Sequence, residues 1–445
     1  MVPSVVLASP DPLRSKQWGL EKIGAARAWA ATTGEGVRIG IVDTGVDLGH
    51  EDLAGKVVAH ASCVGSGGDA SRCTGSGQDD QGHGTHVAGI AAASGDNGRG
   101  IAGVAPDAEL VVAKVLDARG FGSNEDVTAG IKWVVDQGAR VVNLSLGDPA
   151  FVLTSLFGTS LESGIEYAWS RGAVPVLASG NSNVLGLGVG SSGYGDLHAI
   201  VVGATGPDDG VASYSSPPGN AVWSILAPGG GGTGERADDV LSTHWKPRSE
   251  HEYEYLAGTS MAAPHVAGAV ALLLAQGYDG PSAIARILQT ADRRVSCGPN
   301  SPTCQGRLDV ASATGAGDPS PLGTPTVAMS SRRAGQVETE ADKSAPPTPT
   351  TRVTPAPPAT PPGGTAPLSP VPTAPTEKTA NGPREEALAP DRAPLRSSHD
   401  VADAVAARAG RNDRGRPPLV SGLIALVLLG AVANWARTLG RASPS

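Results

Sequence analysis

Apolar positions in residues 1–315 gather into short continuous runs rather than strict alternation. Residues 37–42 (VRIGIV), 110–115 (LVVAKV), 141–146 (VVNLSL), 174–178 (VPVLA) and 200–202 are nearly uninterrupted, the pattern of strands buried on both faces. Between them, 88–93, 124–137 and 161–171 read as helices, with Asn124 placed to cap the second. Such alternation predicts an α/β fold with three layers: a mostly parallel central sheet, helices on both faces and right-handed crossovers. In a sheet of this kind the ligand site lies at the carboxyl ends of the strands.

The pattern changes beyond residue 315. Fifteen of the sixteen aromatic residues lie between Trp18 and Tyr278, and the last is Trp435. A segment without aromatics, rich in Pro, Thr, Ala and Ser, cannot bury enough apolar surface to offset its ordering entropy. Residues 316–416 are therefore expected to be a disordered linker, with twelve Pro in the 31 residues 345–375. As polyproline II, that stretch spans on the order of 100 Å. Residues 419–436 (LVSGLIALVLLGAVANWA) then run for 18 positions without a charge, enough for about 27 Å of helix. They are the candidate transmembrane helix, followed by a short tail, 437–445. Four Arg precede this span (Arg408, Arg411, Arg414, Arg416) and two follow it (Arg437, Arg441), a balance that favours the large domain inside. Residues 1–9 lack the basic start and long apolar run of a signal peptide.

A formal net charge of −9 and a pI near 5.5 argue against a nucleic-acid binder, which needs Lys and Arg to neutralise phosphates. The four cysteines form two close pairs, Cys63 with Cys73 and Cys297 with Cys304. Neither spacing is that of a zinc site. Two local disulfides in an oxidising compartment are the favoured reading, and buried thiols in a reducing one are the alternative.

Three segments carry candidate chemistry. In Ile41-Val42-Asp43-Thr44-Gly45 a carboxylate stands where a buried strand ends, able to orient a histidine. Gly82-His83-Gly84-Thr85-His86 leads into an Ala-rich helix. Gly258-Thr259-Ser260-Met261-Ala262-Ala263-Pro264-His265 puts Ser260 at the start of a second such helix, where backbone N–H groups are available to an oxyanion. Taken singly these have other readings. Asp-Thr-Gly also occurs in aspartic proteases, which need a second copy that this chain lacks. His83 and His86 could be metal ligands, but a third is missing, and Ser at a helix start is usually a cap.

Taken together, in the order Asp, His, Ser and with Ala178-Ser179-Gly180-Asn181 after a strand, the segments resemble those of the subtilisin-like serine proteases, the subtilases. The resemblance covers roughly residues 11–310. It implies Ser260 as nucleophile, His83 as general base and then acid, and Asp43 as the group that orients the imidazole. Asn181 would donate to the oxyanion alongside the Ser260 N–H. Ser145-Leu146-Gly147 would pair with the substrate backbone, and Ala178, Ser179 and Gly180 would line the site. Where relatives often have a second Gly after this segment, the chain has Asp148. His86 and His265 are expected to be packed and hydrogen-bonded rather than catalytic.

No cofactor is implied for the chemistry. Structural calcium is, because thermitase-like subtilases hold it with residues matching Asp11, Asp52 and Asn97 and with carbonyls matching Arg99 and Ile101. The layout of catalytic domain, Pro-rich spacer and terminal span resembles the mycosins, the membrane-anchored subtilases of type VII secretion. The resulting expectation is a serine endopeptidase acting on protein or peptide substrates, held by a single span with its catalytic domain outside the cell and with a secretion-system partner. The alternative class is a catalytically silent scaffold or binding protein on the same fold.

Overall fold

The computed structural model describes residues 10–146, 160–181, 194–298 and 300–316. The expected linker, span and tail, together with Gly147 and Asp148, lie outside the described residues. Among the described residues no helix is long and apolar enough to cross a membrane.

Eight parallel strands form the central sheet: β1 (Arg38–Asp43), β2 (Val57–Ser62), β3 (Glu109–Lys114), β4 (Val141–Leu144), β5 (Val174–Ala178), β6 (Ile200–Thr205), β7 (Trp223–Pro228) and β10 (Cys304–Arg307). Their order is β10-β7-β6-β5-β4-β1-β3-β2. Strands β8 (Val240–His244) and β9 (Glu252–Leu256) make a separate antiparallel hairpin. The principal helices are α1 (Trp18–Lys22), α2 (Ala25–Ala28), α3 (His83–Ala92), α4 (Asn124–Asp136), α5 (Ser160–Ser170), α6 (Thr259–Ala275), α7 (Gly280–Thr290) and α8 (Val310–Ala313).

Continuous apolar runs follow from burial on both sides of the sheet. Ile39, Ile41, Leu110, Val112, Val176, Ile200 and Val202 join one core with α3, α6 and α7. Their neighbours Val42, Val111, Ala113, Leu177 and Val201 join a second core with α4 and α5. Each face of these central strands thus meets its own helical layer, which gives the expected three layers.

Several local expectations need correction. Ser123, not Asn124, caps α4: its side chain accepts from the Asp126 N–H at 3.0 Å, and Asn124 is the first helical residue. The helix expected at 88–93 begins earlier, at His83. Strands β2, β7, β8 and β10 are additional, while β9 matches the strand that the alternation of Glu250, Glu252 and Glu254 predicts before the nucleophile. Both cysteine pairs form disulfides, Cys63–Cys73 and Cys297–Cys304.

Chain order reverses across β1. The chain runs from β1 out to β2 and back to β3 on one side, then continues with β4 on the other. A crevice outside the carboxyl ends of β1 and β4 is the place where such sheets bind ligands.

Candidate active site

The carboxyl ends of these strands carry the first candidate residues. Asp43 is the last residue of β1 and is 0 % exposed. Gly45 turns the chain away with φ +106, and a Cβ there would lie 2.6 Å from the Gly77 carbonyl oxygen. Asp43 Oδ1 accepts from the Thr44 N–H at 2.7 Å and lies 2.8 Å from His83 Nδ1. Its Oδ2 has no hydrogen-bond partner among the described residues, so Thr44 and His83 are the donors that compensate its charge. An ionised carboxylate only accepts, which assigns the proton to Nδ1 and leaves Nε2 as the base.

His83 opens α3, and its side chain is 25 % exposed. Burial alone would lower its proton affinity, but the Asp43 charge and hydrogen bond outweigh that, with a smaller contribution from Asp79, and hold His83 above its ordinary value of 6.5. His86 and His265 go the other way. Burial pushes His86 down to about 3 and His265 to about 4. His86 Nε2 bonds the Glu254 carbonyl at 2.9 Å and His265 Nδ1 the Met261 carbonyl at 2.8 Å. The Nε2–H of His86 is thus committed to the hairpin, while its Nδ1 has no hydrogen-bond partner among the described residues.

Ser260 sits in the first turn of α6. Four residues on, Pro264 cannot donate the helical hydrogen bond to the Ser260 carbonyl. Ser145 supplies the replacement: its Oγ donates to the Ser260 carbonyl at 2.8 Å, and Ser260 Oγ donates to the Ser145 carbonyl at 3.1 Å. This reciprocal pair ties the nucleophile candidate to the end of β4. β4 is the strand next to β1, and their parallel register pairs Ile41 with Asn143, two residues before Asp43 and Ser145 respectively. Asp43 and His83 are thus hydrogen-bonded at the end of β1, and Ser260 is tied to the end of the neighbouring strand β4.

Asn181 follows β5. Its Oδ1 accepts from Thr259 N at 2.9 Å and Thr259 Oγ1 at 3.0 Å, and Thr259 Oγ1 also accepts from the Gly180 N–H at 3.1 Å. Two donors on Oδ1 fix the amide orientation and turn Nδ2 the other way. A Cβ built on Gly258 would lie 3.3 Å from Asn181 Nδ2 and 3.7 Å from Ser260 N, so the space beside Gly258 is common to both expected oxyanion donors.

The residues expected to bind substrate divide. Ser145 and Leu146 are buried at the end of β4. Ala178 and Ser179 are also buried, and the Ser179 hydroxyl donates to the Ser216 carbonyl at 2.7 Å. Together with Gly180 they brace Asn181.

The calcium candidates also cluster. Asp52 is 0 % and Asp11 5 % exposed, and neither forms an ion pair with Lys or Arg among the described residues. Asp11 accepts from the Asp96 and Asn97 N–H groups at 2.8 and 2.9 Å. Asp52 accepts from Asn97 Nδ2 at 3.0 Å, the Ile101 N–H at 2.8 Å and Tyr253 OH at 2.9 Å. Asn97 Oδ1 accepts from the Arg99 N–H at 2.7 Å. Burial, and then the Asp52 charge, raise the Asp11 carboxyl above its ordinary range against the pull of those two N–H groups. Among the described residues no group of three or more His, Cys, Asp or Glu could hold a metal ion; the Asp11, Asp52 and Asn97 oxygens accept from N–H and O–H donors, and Arg99 and Ile101 enter this network through their N–H groups.

Residues outside the expected set complete the site. Asp79, Thr44, Thr85 and Thr259 supply most of its side-chain hydrogen bonds. Thr44 and Thr259 stand directly beside Asp43 and Ser260 in the motifs, Thr85 stands two residues after His83, and Asp79 four residues before it.

Comparisons with known proteins agree with this geometry. The model of the subtilase family matches residues 34–317. Thermitase of Thermoactinomyces vulgaris is 40 % identical over 286 residues, covering 64 % of this chain and 91 % of that protein. Subtilisin Savinase of Lederbergia lenta is 41 % identical over 263 residues, covering 58 % and 84 %. A solved protease structure from Pseudoalteromonas arctica superposes with a TM-score of 0.57 at 28 % identity, covering 69 % of this chain and 99 % of that one. A parallel sheet with the hydrogen-bonded Asp43–His83 pair at its carboxyl edge and a family match across nearly the whole described region lead to one conclusion: the chain belongs to the subtilase family and is a serine-type endopeptidase.

Proposed function

We propose that Asp43, His83 and Ser260 hydrolyse peptide bonds through an acyl-enzyme, with Asn181 Nδ2 and the Ser260 N–H holding the oxyanion. The observation that carries this reading is the 2.8 Å Asp43–His83 hydrogen bond beside a serine braced by Ser145. His83 Nε2 takes the Ser260 proton as Oγ attacks the scissile carbonyl, and Asp43 stabilises the imidazolium that forms. His83 then protonates the leaving amine, and water repeats the sequence to release the acid. Peptide and protein substrates lie along Ser145-Leu146-Gly147 as an added strand.

Calcium, when bound, supplies charge compensation to Asp11 and Asp52 and fastens the loop of Asn97, Arg99 and Ile101. The apolar run 419–436 anchors the enzyme in the cell membrane, and the Pro-rich segment spaces the catalytic domain from it, with the active site outside the cell. Two disulfides support an oxidising exterior against the Arg balance around the span. The mycosin-like layout supports a substrate or partner in type VII secretion.

Cleavage of a peptide library by the full chain, run beside Ser260→Ala, tests the reading. Turnover by the wild type alone is expected, and equal turnover by both forms would contradict it. Labelling intact cells with an impermeant amine reagent tests topology: the catalytic domain is expected to be modified, and its protection would place it inside.

A further inference from the structure

Behind the Asp43–His83 pair lies a second buried carboxylate. Asp79 is 1 % exposed. Its Oδ1 accepts from Thr44 Oγ1 at 2.9 Å, the Gln81 N–H at 3.0 Å and the Gly82 N–H at 2.9 Å. Its Oδ2 accepts from the Thr85 N–H at 3.0 Å and Thr85 Oγ1 at 2.6 Å. Its neighbour Asp80 takes the Lys114 ammonium at 2.6 Å, and no Lys or Arg pairs with Asp79 among the described residues. Burying a carboxylate without a counter-cation is costly, and here converging N–H and O–H donors offset that cost.

The origin of those donors is informative. Gln81 and Gly82 lead into His83, Thr85 follows it, and Thr44 follows Asp43. Thr44 Oγ1 also accepts from the Gly84 N–H at 2.9 Å, and Thr85 Oγ1 from the Asp47 N–H at 2.9 Å. A carboxylate that only capped α3 would bond the N–H groups of its first turn. Asp79 does this and also accepts from Thr44 just past the end of β1, so the segments that carry Asp43 and His83 are joined through it.

We propose that Asp79 is a positioning residue for proton transfer, fixing His83 against Asp43 through Thr44 and Thr85. This rests on the triad reading above. The Asp79 charge adds to that of Asp43 in favouring protonated His83. The other titratable groups facing His83 are His244 on β8 and His86 on its own helix, with Lys114 and Asp80 bordering Asp79.

The test is kcat and KM against pH for wild type and Asp79→Asn on a chromogenic peptide. Asp79→Asn is expected to lower kcat between about tenfold and a hundredfold, the range expected from misplacing a reacting group. KM should stay within about twofold, and the acid limb of kcat/KM should move to lower pH. An unmoved limb, or a loss confined to KM or to melting temperature, would leave Asp79 as a cap and overturn the proposal. If Asp79→Asn does not fold, Thr44→Val and Thr44→Ser decide: Val is expected to lower kcat and Ser to restore it, and equal rates in both overturn the proposal. A wild type without hydrolysis would instead refute the triad reading itself.

Discussion

Each catalytic candidate is held by one short-range polar relation, and each predicts a distinct kinetic loss. Asp43 fixes the tautomer of His83 and raises its proton affinity. Asp43→Asn should therefore cost roughly 10⁴ in kcat, typical of this substitution in serine proteases, and should move the acid limb of kcat/KM down. The sign follows from the base role: only neutral His83 accepts the Ser260 proton, so wild-type activity falls as pH drops through a value above 6.5. Asn181 is held by Thr259 through its oxygen alone, leaving the amide hydrogens for the oxyanion. Asn181→Leu should lower kcat by about 10²–10³ with little change in KM, and an effect on KM alone would contradict that role. Gly258→Ala, which places a methyl group 3.3 Å from Asn181 Nδ2, should act in the same direction.

At the scale of elements, the ends of the chain segment are locked to the sheet by buried charge. Arg307 on β10, its side chain 7 % exposed, lies 2.8 Å from Asp209 and 3.1 Å from Asp292, and its Nη1 donates to the Lys22 carbonyl at the end of α1. Asp209 keeps Lys22 and Asp292 keeps Arg294 as partners, so Arg307→Met should destabilise mainly through the lost donors to Asp292 and the Lys22 carbonyl, by about 1–3 kcal/mol. Thermal unfolding measures this, and an unchanged melting temperature would count against the network. This cluster illustrates what was legible in the sequence. Runs such as 37–42 and 174–178 reveal strands because burial on two faces demands continuous apolar residues. β10, the edge strand, carries Gln and Arg and shows no such run, whereas β7, paired between β6 and β10, holds only the short run Ile225-Leu226-Ala227 behind Trp223 and Ser224. The motifs marked the reacting groups, but the bond from Thr44 to Asp79 and those of Thr259 with Gly180 and Asn181 join segments 35 to 79 residues apart, which no local pattern encodes.

The whole molecule has a pH window set by its histidines. His86 and His265 are buried in neutral form, with proton affinities lowered to about 3 and about 4. The unfolded chain binds protons at these sites below about pH 6.5 and the folded one does not, so stability should fall as pH drops from 6.5 towards 4. His83 has the opposite sign: its raised affinity stabilises the fold below 6.5 and that contribution fades at higher pH. Melting temperature against pH should show the net acid-side loss, smaller in His86→Gln. Calcium removal by a chelator should lower the melting temperature as Asp11 and Asp52 lose their compensating charge, and Asp52→Asn should make it insensitive to chelation. The most direct measurement is intact-mass and peptide mapping after treatment with a fluorophosphonate, which reacts with an activated serine. The account predicts a single adduct, on Ser260, that is lost in Ser260→Ala and strongly slowed in His83→Ala. An adduct at another residue, or labelling of Ser260 at an unchanged rate without His83, would contradict the coupling of these groups.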